Sequence, residues 1–167
     1  MIGGGRSGKS SWAEAYAQGV EGKRIYLATA EAFDSEMEER IKLHQERRSD
    51  LFTTIEEPLE LGTRIADLDE DTTLCLVDCL TVWLGNLLHY EKEIETYLEE
   101  LYSVLANPPC EVVLVTNELG LGLIPPTALG RIFRDQAGWM NQRLAQLADR
   151  VILLVAGLPL AIKGELP

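Results

Sequence analysis

Short, almost wholly apolar runs alternate along this chain with longer segments whose apolar residues recur every three or four positions. The short runs, rich in β-branched and aliphatic residues, are typical of strands buried on both faces, and the longer ones of helices. Strands are predicted at Arg24–Thr29, Thr72–Asp78, Cys110–Asn117 and Arg150–Ala156. Helices are predicted at about Gly8–Gln18, Phe33–Arg48, Pro58–Asp67, Leu80–Asn107 (as two helices) and Thr127–Ala148.

This alternation predicts an α/β fold with a mostly parallel sheet, flanked by helices on both faces. The 167 residues, 46% of them apolar, suffice for one core, so we expect a single domain over residues 1–167. No apolar run is long enough to cross a bilayer, and the N-terminus lacks the pattern of a secretory leader. We therefore expect a soluble cytoplasmic protein.

The segment Gly3–Ser10, with the sequence GGGRSGKS, matches the phosphate-binding pattern GxxxxGK[ST] at every position. Glycines allow successive N–H groups to turn inward, and the helix that starts near Gly8 adds its positive dipole end. Lys9 supplies a mobile cation for the terminal phosphates, and Ser10 can ligate magnesium. The motif predicts a P-loop NTPase-like fold that binds GTP or ATP together with Mg²⁺.

The loop should follow a central buried strand, yet only Met1 and Ile2 precede it. Either the native chain starts upstream of Met1, or the first strand is a stub and the centre of the sheet loses ladder hydrogen bonds. We favour the first explanation as a hypothesis. An intact-mass measurement that finds Met1 at the native N-terminus would refute it.

A second residue on the magnesium side is expected at the end of a buried strand, where an acid reaches the ion directly or through water. Asp78 closes the apolar run at residues 74–77 and fits this position. It could also cap the helix that follows, and the two roles are compatible.

His44 lies late in the predicted helix Phe33–Arg48, with Arg40 one turn before it and Arg47 and Arg48 three and four positions after it. Cations on one side of a helix can gather phosphate, and they disfavour protonation of the imidazole, which keeps it a neutral nucleophile. A solvated histidine on a helix face explains the spacing alone at least as well.

Charge and cysteine usage narrow the possible partners. The 15 basic and 27 acidic residues give a net charge of −12, which disfavours a broad surface for nucleic acid or anionic membrane. Any phosphate site must therefore be local. The three cysteines, Cys75, Cys79 and Cys110, lack CxxC spacing and are interpreted as buried reduced thiols.

An ordered set of motifs resembles one family along essentially the whole chain. Beside the loop, these are IYLATA at Ile25–Ala30, DSEMEERIKLHQERR at Asp34–Arg48, TIEEP at Thr54–Pro58, LVDCLTVWLGNLL at Leu76–Leu88, VVLVTNELGLGLIP at Val112–Pro125 and GRIFRDQAGWMNQRLAQLAD at Gly130–Asp149. The chain is similar in these motifs to the bifunctional adenosylcobinamide kinase/adenosylcobinamide-phosphate guanylyltransferases of cobalamin biosynthesis. The loop alone marks only a large superfamily, whereas the ordered set is specific.

The resemblance implies two reactions: phosphorylation of the aminopropanol hydroxyl of adenosylcobinamide by ATP or GTP, and transfer of GMP from GTP to the resulting phosphate. It also implies a guanylylated histidine, here His44, and a homotrimer. Lys9 is the other catalytic residue expected, and Ser10 and Asp78 are the expected metal ligands. The implied nucleotide contacts are Gly3, Gly4, Gly5, Arg6, Ser7, Gly8, Lys9, Ser10, Ala28, Thr29, Ala30, Gln45, Glu46, Arg47, Arg48, Glu56 and Asp78.

The chain departs from the family pattern at its short N-terminus, at Ser49, where proline is common, and at Asp78, where some members carry glutamate. The sequence does not identify the corrinoid contacts. The loop Leu119–Pro126 and Arg131, Arg134 and Asn141 on the next helix are candidates, although that helix also has ordinary core spacing.

Two alternatives stay open. The first is a P-loop kinase of another small molecule with a structural His44, for which His44→Ala would leave phosphotransfer unchanged. The second is a non-catalytic nucleotide switch in which Asn117 and Glu118 read guanine, although Thr116-Asn117-Glu118 stands where such switches typically use Asn-Lys-x-Asp.

Overall fold

The computed structural model describes residues 1–32, 39 and 51–167. The strands are β1 (Ile2–Gly3), β2 (Lys23–Ala28), β3 (Thr53–Glu56), β4 (Thr72–Asp78), β5 (Glu111–Asn117), β6 (Val151–Val155) and β7 (Leu158–Lys163). The helices are α1 (Lys9–Gln18), α2 (Leu61–Ala66), α3 (Leu80–His89), α4 (Ile94–Leu105) and α5 (Ala128–Leu147). The four predicted strands are confirmed, as are the predicted helices within the described ranges. Apart from Glu39, the predicted helix Phe33–Arg48 lies outside them.

The strands form one seven-stranded sheet in the order β3-β2-β4-β5-β1-β6-β7. Every neighbouring pair is parallel except β6 and β7, which are antiparallel. Because the carboxyl ends of parallel strands share one edge, the ends of β1 to β5 meet on the same side of the molecule. The predicted α/β fold with a mostly parallel sheet is confirmed.

Alternate residues of the central strands pack on opposite faces of this sheet. On one face, Ile25 and Cys75 contact a core that is built with α2, α3, α4 and α5. On the other face, Tyr26 and Leu76 pack against Ala13 of α1. The period of two along each strand therefore separates two cores, one packed against α2 to α5 and the other against α1. In the described part of the chain, no helix is both long and apolar enough to cross a membrane.

β1 is a two-residue strand at the centre of the sheet. Ile2 pairs with Thr116 of β5 on one side and with Leu153 of β6 on the other. The Met1 ammonium group donates a hydrogen bond to Leu114 O at 2.5 Å, and burial lowers its pKa to about 6. The ladder around β1 is thus short, and an upstream start of the native chain stays a hypothesis.

Two strands were missed by the hydrophobic pattern. β3 contains a single aliphatic residue, Ile55, and lies at one edge of the sheet beside β2. β7 contains Pro159, a residue that argues against a strand except at an edge. Both are edge strands that pair on one side only, so neither shows the continuous apolar run of a central strand.

Candidate functional site

The glycine-rich phosphate loop lies between β1 and α1, at the carboxyl edge of the sheet. Gly8 caps α1 with φ 98°, and Arg6 has φ 57°, so both lie in the left-handed region that this tight loop uses. Ser7 N–H donates to Gly4 O at 3.3 Å, and Gly157 N–H donates to Ser7 O at 3.0 Å. The sequence-predicted frame of strand, loop and helix is therefore present.

The glycines of the loop differ in their surroundings. A Cβ atom at Gly3 would lie 2.5 Å from Leu154 O, so β6 closes this position. A Cβ atom at Gly4 or Gly5 would meet nothing within 4 Å. Ser7 Oγ is buried with no hydrogen-bond partner in the described part of the protein. Open space beside the backbone and an unpaired hydroxyl suit a phosphate chain, whose oxygens accept hydrogen bonds at close range.

Lys9 folds back over this loop. The residue is 7% exposed, and Nζ donates to Gly4 O at 2.6 Å. Burial lowers the pKa of the ammonium group, while Cys79 and Asp78 act in the opposite direction. The ammonium is therefore held at the loop by a neutral carbonyl, which a phosphate oxygen can replace.

Asp78 ends β4 at the same edge, and its Oδ2 accepts a hydrogen bond from Tyr26 Oη at 2.8 Å. The alternative interpretation of Asp78 as a helix cap is wrong, because Cys79 is the N-cap of α3 and makes no side-chain cap hydrogen bond. The Asp78 carboxylate acts on Lys9 electrostatically. The structure thus brings together two of the predicted site residues that are 69 positions apart in sequence.

Residues 28–30, which follow β2, are fixed to the end of β4 through Thr29. Thr29 Oγ1 donates to Cys79 O and accepts from Cys79 N–H, both at 2.9 Å. Asn86 Nδ2 donates to Thr29 O at 2.8 Å. Glu56 lies next to this segment, across the ladder between β2 and β3, and is exposed. The predicted contacts on β2, β3 and β4 therefore occupy adjacent strand ends.

A polar network at the end of β5 was not predicted from the sequence. Asn117 N–H donates to Thr81 Oγ1 at 2.7 Å, Thr116 Oγ1 donates to Asn141 Oδ1 at 2.9 Å, and Asn141 Nδ2 donates to Asn117 O at 3.1 Å. The network joins β5 to α3 and α5. An asparagine between the buried α5 residues Ala137 and Leu144 is the sequence signal that could have indicated it.

The described ranges exclude part of the predicted site. His44, Gln45, Glu46, Arg47 and Arg48 lie outside them. Their roles as nucleophile and nucleotide contacts stay predictions.

The three cysteines are free thiols, which agrees with their interpretation as reduced; Cys75 is buried, and Cys79 and Cys110 are half-buried. Burial raises the pKa of all three thiols, for Cys79 to about 11. Cys79 is thus a protonated, weakly nucleophilic neighbour of Lys9.

Within the described ranges, no group of three or more His, Cys, Asp and Glu side chains could hold a metal ion by itself. A magnesium ion that arrives with a nucleotide needs few protein ligands, because phosphate and water oxygens complete its octahedron. Ser10 in the first turn of α1 and Asp78 at the end of β4 are hard oxygen donors at this edge of the sheet. These residues therefore fit Mg²⁺ that is bound with a nucleotide.

The chain is similar to a known family and to several known proteins along nearly its whole length. The family CobU, described as cobinamide kinase/cobinamide phosphate guanyltransferase, matches residues 1–162. The chain is 42% identical over 167 residues to the bifunctional adenosylcobalamin biosynthesis protein CobP of Pseudomonas aeruginosa, covering 99% of this chain and 96% of that protein. It is 40% identical over 179 residues to the bifunctional adenosylcobalamin biosynthesis protein CobU of Salmonella typhimurium. It is 37% identical to the Escherichia coli protein of the same name, and each of these two matches covers 98% of both chains.

Proposed function

Because this chain belongs to the CobU family of transferases, we propose that it phosphorylates adenosylcobinamide with ATP or GTP and then transfers GMP from GTP to the adenosylcobinamide phosphate. The product is adenosyl-GDP-cobinamide. One observation carries the proposal: the phosphate loop, with Lys9 bonded to Gly4 O, lies at the same edge of the sheet as Asp78.

In the kinase reaction, the hydroxyl of adenosylcobinamide attacks the γ-phosphorus of the nucleotide. A new P–O bond forms, the bond to the β-phosphate oxygen breaks, and the hydroxyl proton is released. Lys9 exchanges Gly4 O for a phosphate oxygen, and the N–H groups of the loop hold the phosphate chain in line. When bound at Ser10 and Asp78, Mg²⁺ supplies charge neutralisation on the phosphates.

In the transferase reaction, a neutral ring nitrogen of His44 attacks the α-phosphorus of GTP. A P–N bond forms, pyrophosphate leaves, and the ring loses its N–H proton. A phosphate oxygen of adenosylcobinamide phosphate then attacks the same phosphorus, the P–N bond breaks, a proton from solvent returns to the ring, and GMP is joined to the acceptor. Splitting the transfer into two displacements is useful because the phosphoramidate is a reactive donor.

The resemblance to the family also supports a homotrimer that works in the cytoplasm, where both nucleotides are available. Residues 28–30 at the end of β2, next to β4, and Glu56 at the end of β3, on the other side of β2, are proposed as nucleotide contacts. The partners proposed are small molecules only, namely adenosylcobinamide with ATP or GTP.

The decisive experiment is incubation with Mg²⁺ and GTP labelled at the α-phosphate, for the wild type and His44→Ala. We expect an acid-labile, alkali-stable protein adduct in the wild type and none in His44→Ala. His89→Ala is the matched control, because His89 is the other histidine of the chain, and it should label normally. No adduct in the wild type, with GTP binding intact, would refute the transferase half.

A further inference from the structure

The first half of α5 leads up to the carboxyl end of β5. Asn141 lies at the end of β5, because its side chain bonds Thr116 Oγ1 and the carbonyl of Asn117. Residues 128–140 precede this point in α5. One face of this half of the helix packs on the core, and another face exposes Trp139.

The loop 119–126, which connects β5 to α5, projects at the same edge and exposes large apolar side chains. Leu121, Leu123 and Ile124 are 87%, 96% and 68% exposed. Three neighbouring aliphatic side chains in solvent are costly to leave uncovered, and such clusters usually mark a binding surface.

Both ends of this loop are held by hydrogen bonds. Glu118 N–H donates to Gly3 O at 3.0 Å, which links the start of the loop directly to the phosphate loop. Arg131 Nη1 donates to the carbonyls of Pro125 and Pro126 at 3.2 and 2.9 Å, which fastens the end of the loop to α5. The exposed leucines are therefore carried by a braced segment whose base adjoins the nucleotide site.

A groove of about 290 Å³ lies between the loop and α5. It is lined by Gly120, Arg134, Asp135, Gly138, Trp139 and Gln142. Trp139 is 61% exposed and supplies a flat indole wall, and a Cβ atom at Gly138 would meet nothing within 4 Å. An apolar wall with a few polar groups beside it is typical of sites for small molecules.

We infer that this groove and the exposed loop side chains bind the corrin ring of the acceptor, an inference that rests on the proposed function. A corrin is a broad, nearly planar macrocycle with methyl groups on its faces and amide side chains around its rim. The indole of Trp139 and the loop leucines cover its apolar faces, and the Gln142 carboxamide and Arg134 guanidinium match its amides. The ring stays outside the sheet while its aminopropanol arm reaches the phosphate loop.

The position of the surface favours the acceptor over a second copy of the chain. Both reactions transfer phosphorus from a nucleotide on the phosphate loop, so the acceptor must lie beside that loop. The groove is connected to that loop through Gly120, whose N–H donates to Glu118 Oε1, because Glu118 N–H in turn donates to Gly3 O. A second copy of the chain has another exposed apolar surface available on β7, where Leu158, Leu160 and Ile162 are exposed.

The test compares Trp139→Ala and Leu123→Ser with Leu160→Ser, a matched control whose side chain is 59% exposed on β7. The measured quantities are the KM for adenosylcobinamide in the kinase assay, the KM for GTP, and GMP labelling of the protein without corrinoid. We expect the corrinoid KM to rise about tenfold in the two groove variants, since a lost aromatic or aliphatic contact of this size is worth about 1.4 kcal/mol. The other two quantities should stay within about twofold of the wild type, and Leu160→Ser should match it in all three.

An unchanged corrinoid KM in both groove variants overturns the inference. The inference is also overturned if Leu123→Ser has an unchanged corrinoid KM but forms a smaller oligomer than the wild type. That result would assign the surface to contacts between copies of this chain. Failure of the proposed function has a different signature, because the wild type would then form neither labelled protein nor phosphorylated corrinoid. In that case, equilibrium dialysis of adenosylcobinamide against the wild type and Trp139→Ala tests directly whether the groove binds the corrin ring. Equal binding to both proteins overturns the inference.

Discussion

At the scale of single residues, Lys9 shows how a buried cation can be kept ready for a phosphate. Its ammonium group is desolvated, which lowers its pKa, yet it retains a hydrogen bond to Gly4 O. A phosphate oxygen offers the same geometry with a negative charge, so exchange of the carbonyl for the phosphate gains a charge-assisted bond. Nucleotide binding should therefore raise the pKa of Lys9.

Lys9→Ala is expected to lower kcat of the kinase reaction by at least about 100-fold, since it removes a preorganised cation from the developing charge. Lys23→Ala is the control, because Lys23 bonds the exposed Asp69 and Asp71. The comparison requires steady-state rates and melting temperatures of both variants. Equal rates for Lys9→Ala and wild type would remove Lys9 from the mechanism.

Two alanine substitutions in the phosphate loop should have opposite consequences. Gly3→Ala places a Cβ atom 2.5 Å from Leu154 O, and the resulting strain should cost about 1–3 kcal/mol of stability. Gly5→Ala meets nothing within 4 Å, so it should unfold like the wild type but bind nucleotide at least about tenfold more weakly, because the methyl group occupies the phosphate space. Urea unfolding and GTP titration separate the two effects, and tight GTP binding by a stable Gly5→Ala protein would contradict this reading.

The Cys79 thiol is expected to react slowly at pH 8. Its pKa is about 11 in the folded protein against 9.0 for a free thiol, so folding makes the thiolate about 100-fold scarcer. Because the unfolded thiol ionises first, the Cys79 contribution to the free energy of unfolding is lost as pH rises from about 9 to about 11. The reactivity of Cys79 is measured by iodoacetamide treatment of the folded protein and of the protein in urea, followed by peptide mapping. Cys79→Ser should show a shallower decline of stability above pH 9, and an equal decline would count against the assignment.

At the scale of elements, the end of β5 is joined to two helices by polar groups rather than by apolar packing. Thr116 and Asn117 bond Asn141 of α5, and Asn117 also bonds Thr81 of α3. These bonds fix the position at which α5 leaves the sheet, and hence the wall of the proposed corrin groove.

Asn141→Leu should destabilise the protein by about 1–3 kcal/mol, because it removes the hydrogen bonds that the Asn141 side chain makes with Thr116 Oγ1 and the Asn117 carbonyl in a part-buried site. Asn107→Leu is the control, since Asn107 is exposed after α4. Urea denaturation of both variants gives the difference. We also expect Asn141→Leu to raise the corrinoid KM, because α5 would move. An unaltered KM would show that these hydrogen bonds do not position the groove.

The elements that could be predicted from the sequence are those whose signal is local. β4 has the bounds predicted from its apolar run, and Asp78 ends it as expected. β3 and β7 could not be found this way, because each depends on one neighbour and lacks a continuous run. Asn141 and Thr116 are 25 positions apart, and nothing in either residue identifies the other as its partner.

At the scale of the whole molecule, the proposed homotrimer has a direct test. Sedimentation equilibrium should give a mass about three times the 18.6 kDa of the chain. The net charge of −12 opposes association, so added salt should favour the trimer by screening the repulsion. A single species of 18.6 kDa at micromolar concentration and physiological salt would exclude the trimer.

The hydrogen bond from Gly157 N–H to Ser7 O has a consequence for how the protein is made. The phosphate loop depends on segments that are synthesised after it, because β1 pairs with Thr116 and Leu153, and the loop rests on the turn after β6. A ribosome-bound chain that stops before Gly157 therefore lacks part of the support of the loop. We expect nucleotide to protect such a chain from proteolysis less than it protects a chain that includes Gly157.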